Sequence, residues 1–125
     1  MTAVTPEPIL KVAMGFMAAK HLFVASEVGL FEALAAGPVT IEELASQTGV
    51  PSRTIAIATA AMVSLGLIEQ RGDHYQNGQA ASAFLAGKPG PDLRPMLRFF
   101  DQISYPTRQK LADAVRTGVP VPSRG

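Results

Sequence analysis

The segment that most constrains the fold is the first long helical pattern, which runs from Ile9 to about Val28. Pro6 and Pro8 precede or open it, and proline is well tolerated only in the first turn of a helix. Apolar residues occupy every face of this helix, so every face is expected to be buried. A chain of 125 residues can hardly surround such a helix by itself. The pattern therefore predicts an intertwined dimer in which two copies of the chain enclose each other's first helices.

The composition limits the classes of protein to which the chain can belong. Hydrophobic residues make up 47% of the sequence, charged residues 17%, and the mean hydropathy is +0.19. Disordered chains combine low hydrophobicity with high net charge, so we expect one compact domain with apolar surface left for a partner. The absence of cysteine excludes disulfides and thiolate chemistry. The longest uncharged stretch, 54–68, is shorter than the roughly 20 residues of a membrane span, and no basic segment precedes an apolar run. We therefore expect a cytoplasmic protein without a signal peptide or membrane contact.

A helix-turn-helix is predicted in the middle of the sequence. Thr40 and Glu43 have the spacing of a capping box, in which each side chain accepts a hydrogen bond from the backbone of the other. The helix that they begin is expected to end at Thr48, before a glycine. Ser52 is expected to cap a second helix over 53–65. Two short helices joined by a glycine-containing turn are typical of this motif.

A β-hairpin is predicted directly after these two helices. Residues 67–71 and 74–76 alternate in polarity around Gly72 and Asp73, a pair that suits a two-residue hairpin turn. A hairpin in this position is the wing of a winged helix. The predicted fold is therefore mainly α, a winged helix-turn-helix with a small hairpin wing and extra helices. These further helices are expected at 30–36, 79–85, 92–100 (begun by Asp92) and, after Pro106, 107–116.

The sequence offers few groups for catalysis. Its two histidines, His21 and His74, have no carboxylate cluster with metal-ligand spacing nearby. His21 is interpreted as a packed or interface residue and His74 as a solvated residue of the wing. No strand followed by a Gly-x-Gly turn leads into a helix, so no nucleotide or S-adenosylmethionine loop is recognisable. We predict no catalytic, cofactor-binding or metal-binding residue in this chain.

The charges argue against DNA binding, although winged helices often read DNA. The second helix of the helix-turn-helix carries a single basic residue, Arg53, and residues 1–87 hold four basic and seven acidic residues, a net charge of −3. A protein that neutralises several phosphates needs the opposite sign. The positive charge lies instead in residues 88–125, outside the reading helix. A winged-helix transcriptional regulator that binds DNA as a dimer is the alternative function, and a stand-alone ligand-binding or scaffold dimer is a third.

Five stretches have the pattern of a known family: Val28–Leu34, Gly37–Ala45, Thr48–Val50, Leu65–Ile68 and Leu111–Gly118. They resemble the N-terminal dimerisation domain of S-adenosylmethionine-dependent O-methyltransferases that act on polyketides, phenolics and related small molecules. The resemblance extends over about residues 9–118. It implies a winged-helix dimerisation domain over 1–118 and, over 119–125, a linker or the truncated start of a catalytic domain that this chain lacks.

The resemblance also implies a function and partners. In that family the winged-helix domain intertwines with its twin and forms part of the acceptor-pocket wall, while a C-terminal Rossmann-like domain binds S-adenosylmethionine. We therefore expect a homodimerisation and substrate-pocket-wall domain of a class I O-methyltransferase. Its partners would be a second copy, its own catalytic domain and a small aromatic acceptor. S-adenosylmethionine is expected only in the full-length enzyme.

Large side chains on the first helix and on the helices after the wing are the candidate substrate-binding residues, because the resemblance brings these elements to the acceptor pocket. The candidates are Met14, Met17, Phe99, Phe100, Ile103 and Tyr105. Apolar and aromatic side chains suit a flat aromatic acceptor, and methionine adapts to irregular shapes. Tyr105 is the preferred candidate because its hydroxyl can form a hydrogen bond with an acceptor. The alternative for each is ordinary packing in the core or at the dimer interface.

Overall fold

The computed structural model describes residues 3–121, which form a mainly α-helical fold with one antiparallel pair of strands. The remaining residues, among them 122–125 of the predicted linker 119–125, lie outside the described part. The helices are α1 (Glu7–Ala13), α2 (Gly15–Glu27), α3 (Leu30–Ala33), α4 (Ile41–Thr48), α5 (Ser52–Ser64), α6 (Gln79–Phe84), α7 (Arg94–Phe99), α8 (Tyr105–Arg108) and α9 (Leu111–Thr117). A π-helical turn, Phe100–Ser104, joins α7 to α8, and the strands are β1 (Ile68–Arg71) and β2 (His74–Asn77).

The first helical pattern is divided in two, where the sequence predicts one helix. Met14 separates α1 from α2, with φ −89° and ψ −1°. Gly15 follows it, and glycine is among the poorest helix formers, which gives the division a local cause. The prediction of a single helix over 9–28 is therefore wrong at this point.

The helix-turn-helix of α4 and α5 confirms the predicted capping box. The backbone N–H of Glu43 donates to Thr40 Oγ1 at 3.3 Å, and that of Thr40 donates to Glu43 Oε1 at 3.3 Å. The helix ends at Thr48, as predicted. The prediction that Ser52 caps α5 is wrong: Pro51 is the residue before the helix, and no side chain caps it. The carbonyl of Pro51 already accepts the first helical bond, from Ile55 N–H at 2.9 Å, so Ser52 lies within the first turn.

The wing is the predicted hairpin, with one unpredicted addition. Four pairs, from Ile68 opposite Asn77 to Arg71 opposite His74, enclose the predicted two-residue turn. Val39, just before α4, pairs with Tyr75: Val39 N–H donates to the Tyr75 carbonyl at 3.0 Å, and Tyr75 N–H donates to the Val39 carbonyl at 2.8 Å. The wing is thus fastened to the start of the helix-turn-helix.

The hydrophobic core lies under α2 to α5, the wing, α6 and α7. Its largest fully buried apolar side chains are Phe31, Leu30, Leu44, Ile55, Met62 and Ile68. Thr59 is buried among them, and its hydroxyl donates to the Ile55 carbonyl at 2.7 Å, so the polar group is satisfied. Such a core supports the helix-turn-helix and wing within a single copy.

The N-terminal helices are largely uncovered in a single copy. No residue of α1 is buried, and α2 buries only Ala25. Val12 is 83% exposed and Phe16 is 53% exposed. A single chain therefore does not bury every face of α1 and α2. The intertwined dimer stays a prediction, and it would account for this exposed apolar surface.

The same helical stretch, Glu7–Glu27, is long and apolar enough to cross a membrane by length and composition alone. An apolar helix that packs against protein passes the same test, so this is weak evidence for a span.

The C-terminal helices depart most from the predictions. The helix over 92–100 is shorter, and the prediction that Asp92 caps it is wrong: Leu93 is the residue before the helix, and no side chain caps it. Asp92 Oδ1 does accept a hydrogen bond from Arg94 N–H at 3.0 Å. The helix over 107–116 is interrupted, because Gln109 N–H bonds to the carbonyl of Pro106 at 3.3 Å, three residues back, which is a tighter turn than an α-helix makes. Pro106 lies in the first turn of α8, where its missing N–H is tolerated.

Candidate functional site

A cavity of about 560 Å³ lies between α2 on one side and the π-helical turn with α8 on the other. We call it the aromatic cavity, because three phenylalanines and a tyrosine line it. Its lining residues are Phe16, Ala19, Lys20, Phe23, Phe100, Asp101, Ser104, Tyr105 and Arg108. Small-molecule sites are commonly concave, mostly apolar and of 300–1,000 Å³, so this cavity has the size and character of a ligand site.

Helical periodicity explains how α2 supplies one wall. Phe16, Lys20 and Phe23 are spaced by four and three residues, which places them on a single face of the helix. The opposite face of the same helix carries Ala25 into the core. The helix is therefore apolar on two faces, because one face packs on the core and the other lines the cavity.

The π-helical turn supplies the other wall. The N–H of Tyr105 donates to the carbonyl of Phe100, five residues earlier, which is the spacing of a π-helix. Both of these aromatic side chains line the cavity. Single π-helical turns are frequent at functional sites, because they change the direction of the side chains that follow.

An ion pair joins the two walls. Lys20 Nζ donates to Asp101 Oδ1 at 2.7 Å, across 81 positions of sequence. The Asp101 side chain is 17% exposed and that of Lys20 is 58% exposed. This hydrogen bond raises the pKa of Lys20, so the lysine stays charged. The pair fixes α2 against the π-helical turn at the edge of the cavity.

The structure brings together two of the six predicted substrate-binding residues. Phe100 and Tyr105 line the aromatic cavity, 41% and 48% exposed. Met14 lies at a separate shallow hollow on α1. Met17, Phe99 and Ile103 do not line the aromatic cavity, although Met17 and Phe99 are 42% and 48% exposed. Substrate binding by any of the six stays a prediction.

Seven cavity residues went unrecognised in the sequence, and the five with aromatic or charged side chains divide into two kinds. Phe16 and Phe23 are one helical repeat of seven apart, a signal that the all-round apolarity of the helix hides. Lys20, Asp101 and Arg108 had no local signal, because only the tertiary fold brings them to one cavity.

A second polar cluster holds α7 against α3. Arg94 Nη1 donates to Glu32 Oε2 at 3.0 Å, and Arg94 Nη2 donates to Asp92 Oδ2 at 2.8 Å. The hydrogen bonds from Arg94 lower the pKa of Asp92 to about 2. Those to Asp92 and then Glu32 raise the pKa of Arg94. Both carboxylates bond to the same guanidinium, so we interpret the cluster as structural.

The histidines lie apart from the aromatic cavity. His21 is exposed on α2, and His74 is exposed in the wing, where Nδ1 lies 2.8 Å from Asp73 Oδ1. Within residues 3–121, no three acidic or histidine side chains are grouped closely enough to hold a metal ion. What the aromatic cavity offers a ligand is apolar surface, a phenolic hydroxyl and charged groups at its edge.

The exposed side of α5 has little of the chemistry that reads DNA. Ile57, in the middle of this helix, is 61% exposed, and Arg53 lies at its first turn. Base edges are read by arginine, lysine, asparagine and glutamine in the body of such a helix. An exposed isoleucine there offers bases no hydrogen bond.

Comparison with known proteins gives a consistent family. A family model described as the O-methyltransferase dimerisation domain matches residues 10–87. The tetracenomycin polyketide synthesis 8-O-methyl transferase TcmO of Streptomyces glaucescens is 34% identical over 122 residues, covering 96% of this chain and 36% of that protein. The 3-hydroxy-5-methyl-1-naphthoate 3-O-methyltransferase of Streptomyces sahachiroi is 37% identical over 117 residues, with 92% and 33% covered.

Solved structures agree with these matches. PigF with SAH superposes with a TM-score of 0.85 at 28% identity, covering 92% of this chain and 38% of that one. Human N-acetylserotonin methyltransferase in complex with SAM superposes with a TM-score of 0.82 at 31% identity, with 94% and 36% covered. The chain thus spans about a third of the length of the relatives that it matches.

Proposed function

The chain belongs to the family of O-methyltransferase dimerisation domains, and from this membership we propose that it pairs with a second copy and forms one wall of the acceptor pocket of an S-adenosylmethionine-dependent O-methyltransferase. The observation that carries the pocket-wall role is the aromatic cavity between α2 and the π-helical turn. We propose that the dimerisation domain extends over 1–118, beyond the matched 10–87, with 119–125 as a linker.

Exposed apolar surface supports the pairing. Ile9, Val12 and Met14 are 72%, 83% and 53% exposed in a single copy. Several exposed apolar side chains on one short helix indicate a site of association. A second copy that packs against α1 would remove these side chains from water. Self-association is also what membership of a dimerisation family implies.

The lining of the aromatic cavity supports a small aromatic acceptor. The rings of Phe16, Phe23 and Phe100 offer faces and edges to a flat molecule, and the Tyr105 hydroxyl offers one hydrogen bond. In this proposal the chain shapes one wall of the acceptor pocket and keeps water out of it. The transfer of the methyl group to a hydroxyl oxygen is carried out by groups outside the described residues. Relatives named as O-methyltransferases of a polyketide and of a naphthoate support this class of acceptor.

S-adenosylmethionine does not fit the residues present here. Dinucleotide-like cofactors sit where a strand of a parallel sheet leads through a glycine-rich turn into a helix. The two strands of the described part, β1 and β2, form an antiparallel hairpin. We therefore propose that the cofactor is bound by the rest of a full-length enzyme, and we assign no residue of this chain to cofactor binding.

The location that we propose is the cytoplasm, since the sequence has no cysteine to form the disulfides that are common in secreted proteins. Fractionation of cells that express the tagged chain tests this proposal. Recovery of the chain with the membrane fraction would contradict it.

Sedimentation tests the pairing and separates it from DNA binding. The chain is centrifuged alone and with a random DNA duplex at low salt. We expect a dimer that does not sediment with the duplex. A monomer at all concentrations would contradict the pairing, and co-sedimentation that weakens steeply with salt would favour the transcriptional regulator.

A further inference from the structure

Of the three charged side chains that line the aromatic cavity, two form an ion pair with each other and one does not. Two cations, Lys20 and Arg108, and one carboxylate, Asp101, line it. Lys20 and Asp101 neutralise each other through the 2.7 Å hydrogen bond. Arg108, in α8, forms no ion pair with any Asp or Glu of residues 3–121. The cavity therefore carries one net positive charge, borne by an exposed guanidinium beside aromatic rings.

A guanidinium in this setting favours one kind of ligand group. Arginine presents a planar fork of N–H donors that matches a carboxylate in a two-point hydrogen bond. The one carboxylate that a cationic ligand could pair with in this lining is Asp101, which is 17% exposed and already bonded to Lys20. Such a ligand would have to break that ion pair, whereas an anion at Arg108 breaks none.

Resting on the acceptor-wall function proposed above, we propose that the aromatic cavity takes a flat aromatic carboxylate and that Arg108 binds its carboxylate group. The rings of Phe16, Phe23 and Phe100 hold the aromatic body. Arg108 is then the residue that determines specificity between anionic and neutral ligands, without taking part in chemistry.

The test compares two probes that differ only in charge. The whole chain is titrated with β-naphthoate and with β-naphthamide, its neutral counterpart, and binding is followed by calorimetry and by NMR shifts of the cavity aromatics. We expect naphthoate to bind about tenfold more tightly, as a charge-assisted hydrogen bond at a partly exposed site provides, and we expect added salt to reduce this advantage.

Variants assign the advantage to one side chain. Arg108→Gln should remove the preference for naphthoate and leave naphthamide affinity unchanged, and Arg108→Lys should keep part of it because the charge remains. Arg71→Gln is the matched control, since Arg71 is exposed in β1 and away from the cavity. It should leave both affinities unchanged.

The outcomes separate the two proposals. Equal affinity for both probes, or an undiminished preference in Arg108→Gln, would overturn the role of Arg108 while the aromatic cavity stays a ligand site. Failure of both probes to bind would overturn the acceptor-wall function together with this inference. Loss of the preference in Arg71→Gln would show that general surface charge, and not Arg108, attracts the anion.

Discussion

One arginine, Arg94, binds the Asp92 carboxylate. This interaction joins the loop after α6 to the start of α7. Arg94 approaches Asp92 through Nε and Nη2, at 2.9 Å and 2.8 Å, and its backbone N–H donates to the same carboxylate. These hydrogen bonds favour the charged form and place the pKa of Asp92 at about 2, below the ordinary value of 3.8. The ion pair is therefore a pH-dependent contribution to stability.

The sign of this dependence follows from the lowered pKa. A carboxylate with a folded-state pKa below its unfolded value stabilises the fold above the unfolded value, and the contribution is lost as the pH falls through the folded value. For Asp92 the loss takes place between about pH 4 and pH 2. We expect Asp92→Asn to lower the melting temperature near neutral pH and to have little effect near pH 2.

Thermal denaturation of both proteins across this range measures the effect. Asp113→Asn is the control, because Asp113 is 78% exposed and its one ion pair within residues 3–121, to Arg116, is 3.3 Å long on the surface of α9. A constant difference between Asp92→Asn and the parent at every pH would contradict the assignment.

At the scale of the element, the first turn of α4 and the first turn of α5 make a natural comparison. Both begin near a hydroxyl residue that suits an N-cap, yet only Thr40 forms the capping hydrogen bonds. We expect Thr40→Ala to lower the free energy of unfolding by about 1 kcal/mol, the usual cost of a lost N-cap. Ser52→Ala should change it by less than about 0.5 kcal/mol, as surface substitutions usually do.

Urea denaturation of the two variants measures this difference. Equal losses would mean that Ser52 caps α5 in solution, and no loss in either would mean that the capping box contributes nothing.

The elements that could be predicted are those with local causes. The capping box needs only Thr40 and Glu43 at the right spacing, and the hairpin needs only a glycine-containing turn between alternating residues. The π-helical turn has one local cause, Pro106, which has no N–H to donate back into the turn, but proline indicates that a helix is disturbed and not which turn replaces it. No glycine lies within Phe100–Ser104, and the interruption after Arg108 falls at Gln109 and Lys110, which are ordinary helix formers.

At the scale of the whole molecule, the site was only half predictable. The family resemblance pointed to Phe100 and Tyr105 and to the first helix as the facing wall. On that helix it predicted Met14 and Met17, whereas α2 lines the cavity with Phe16, Lys20 and Phe23. The Lys20–Asp101 pair spans 81 positions, and a separation of this kind leaves no periodic signal in the chain. Contacts of this type depend on how α2 packs against the C-terminal helices. The pattern of residues within one segment carries no information on that packing.

The exposed face of α1 allows a prediction about the dimer. Val12 is 83% exposed in one copy, and we expect it to be covered in the dimer. Val12→Glu should raise the dissociation constant of the dimer at least about tenfold, because a carboxylate loses its hydration in an apolar interface. Its helix content should not fall, since no residue of α1 belongs to the core.

Sedimentation equilibrium and circular dichroism of the variant measure both effects. Ile57→Glu on α5 is the control, an apolar residue that is 61% exposed but lies on the helix-turn-helix. Dissociation by Ile57→Glu and not by Val12→Glu would move the interface from α1 to α5.

The two walls of the aromatic cavity differ in their relation to the family pattern. The match ends at residue 87, so α2 lies within it and the wall from Phe100 to Arg108 lies beyond it. One wall thus belongs to the matched segment that contains the helix-turn-helix, and the other lies outside that segment. We expect an exchange of residues 100–108 between relatives to change ligand preference and to leave the helix-turn-helix in place, because these residues lie outside the matched segment.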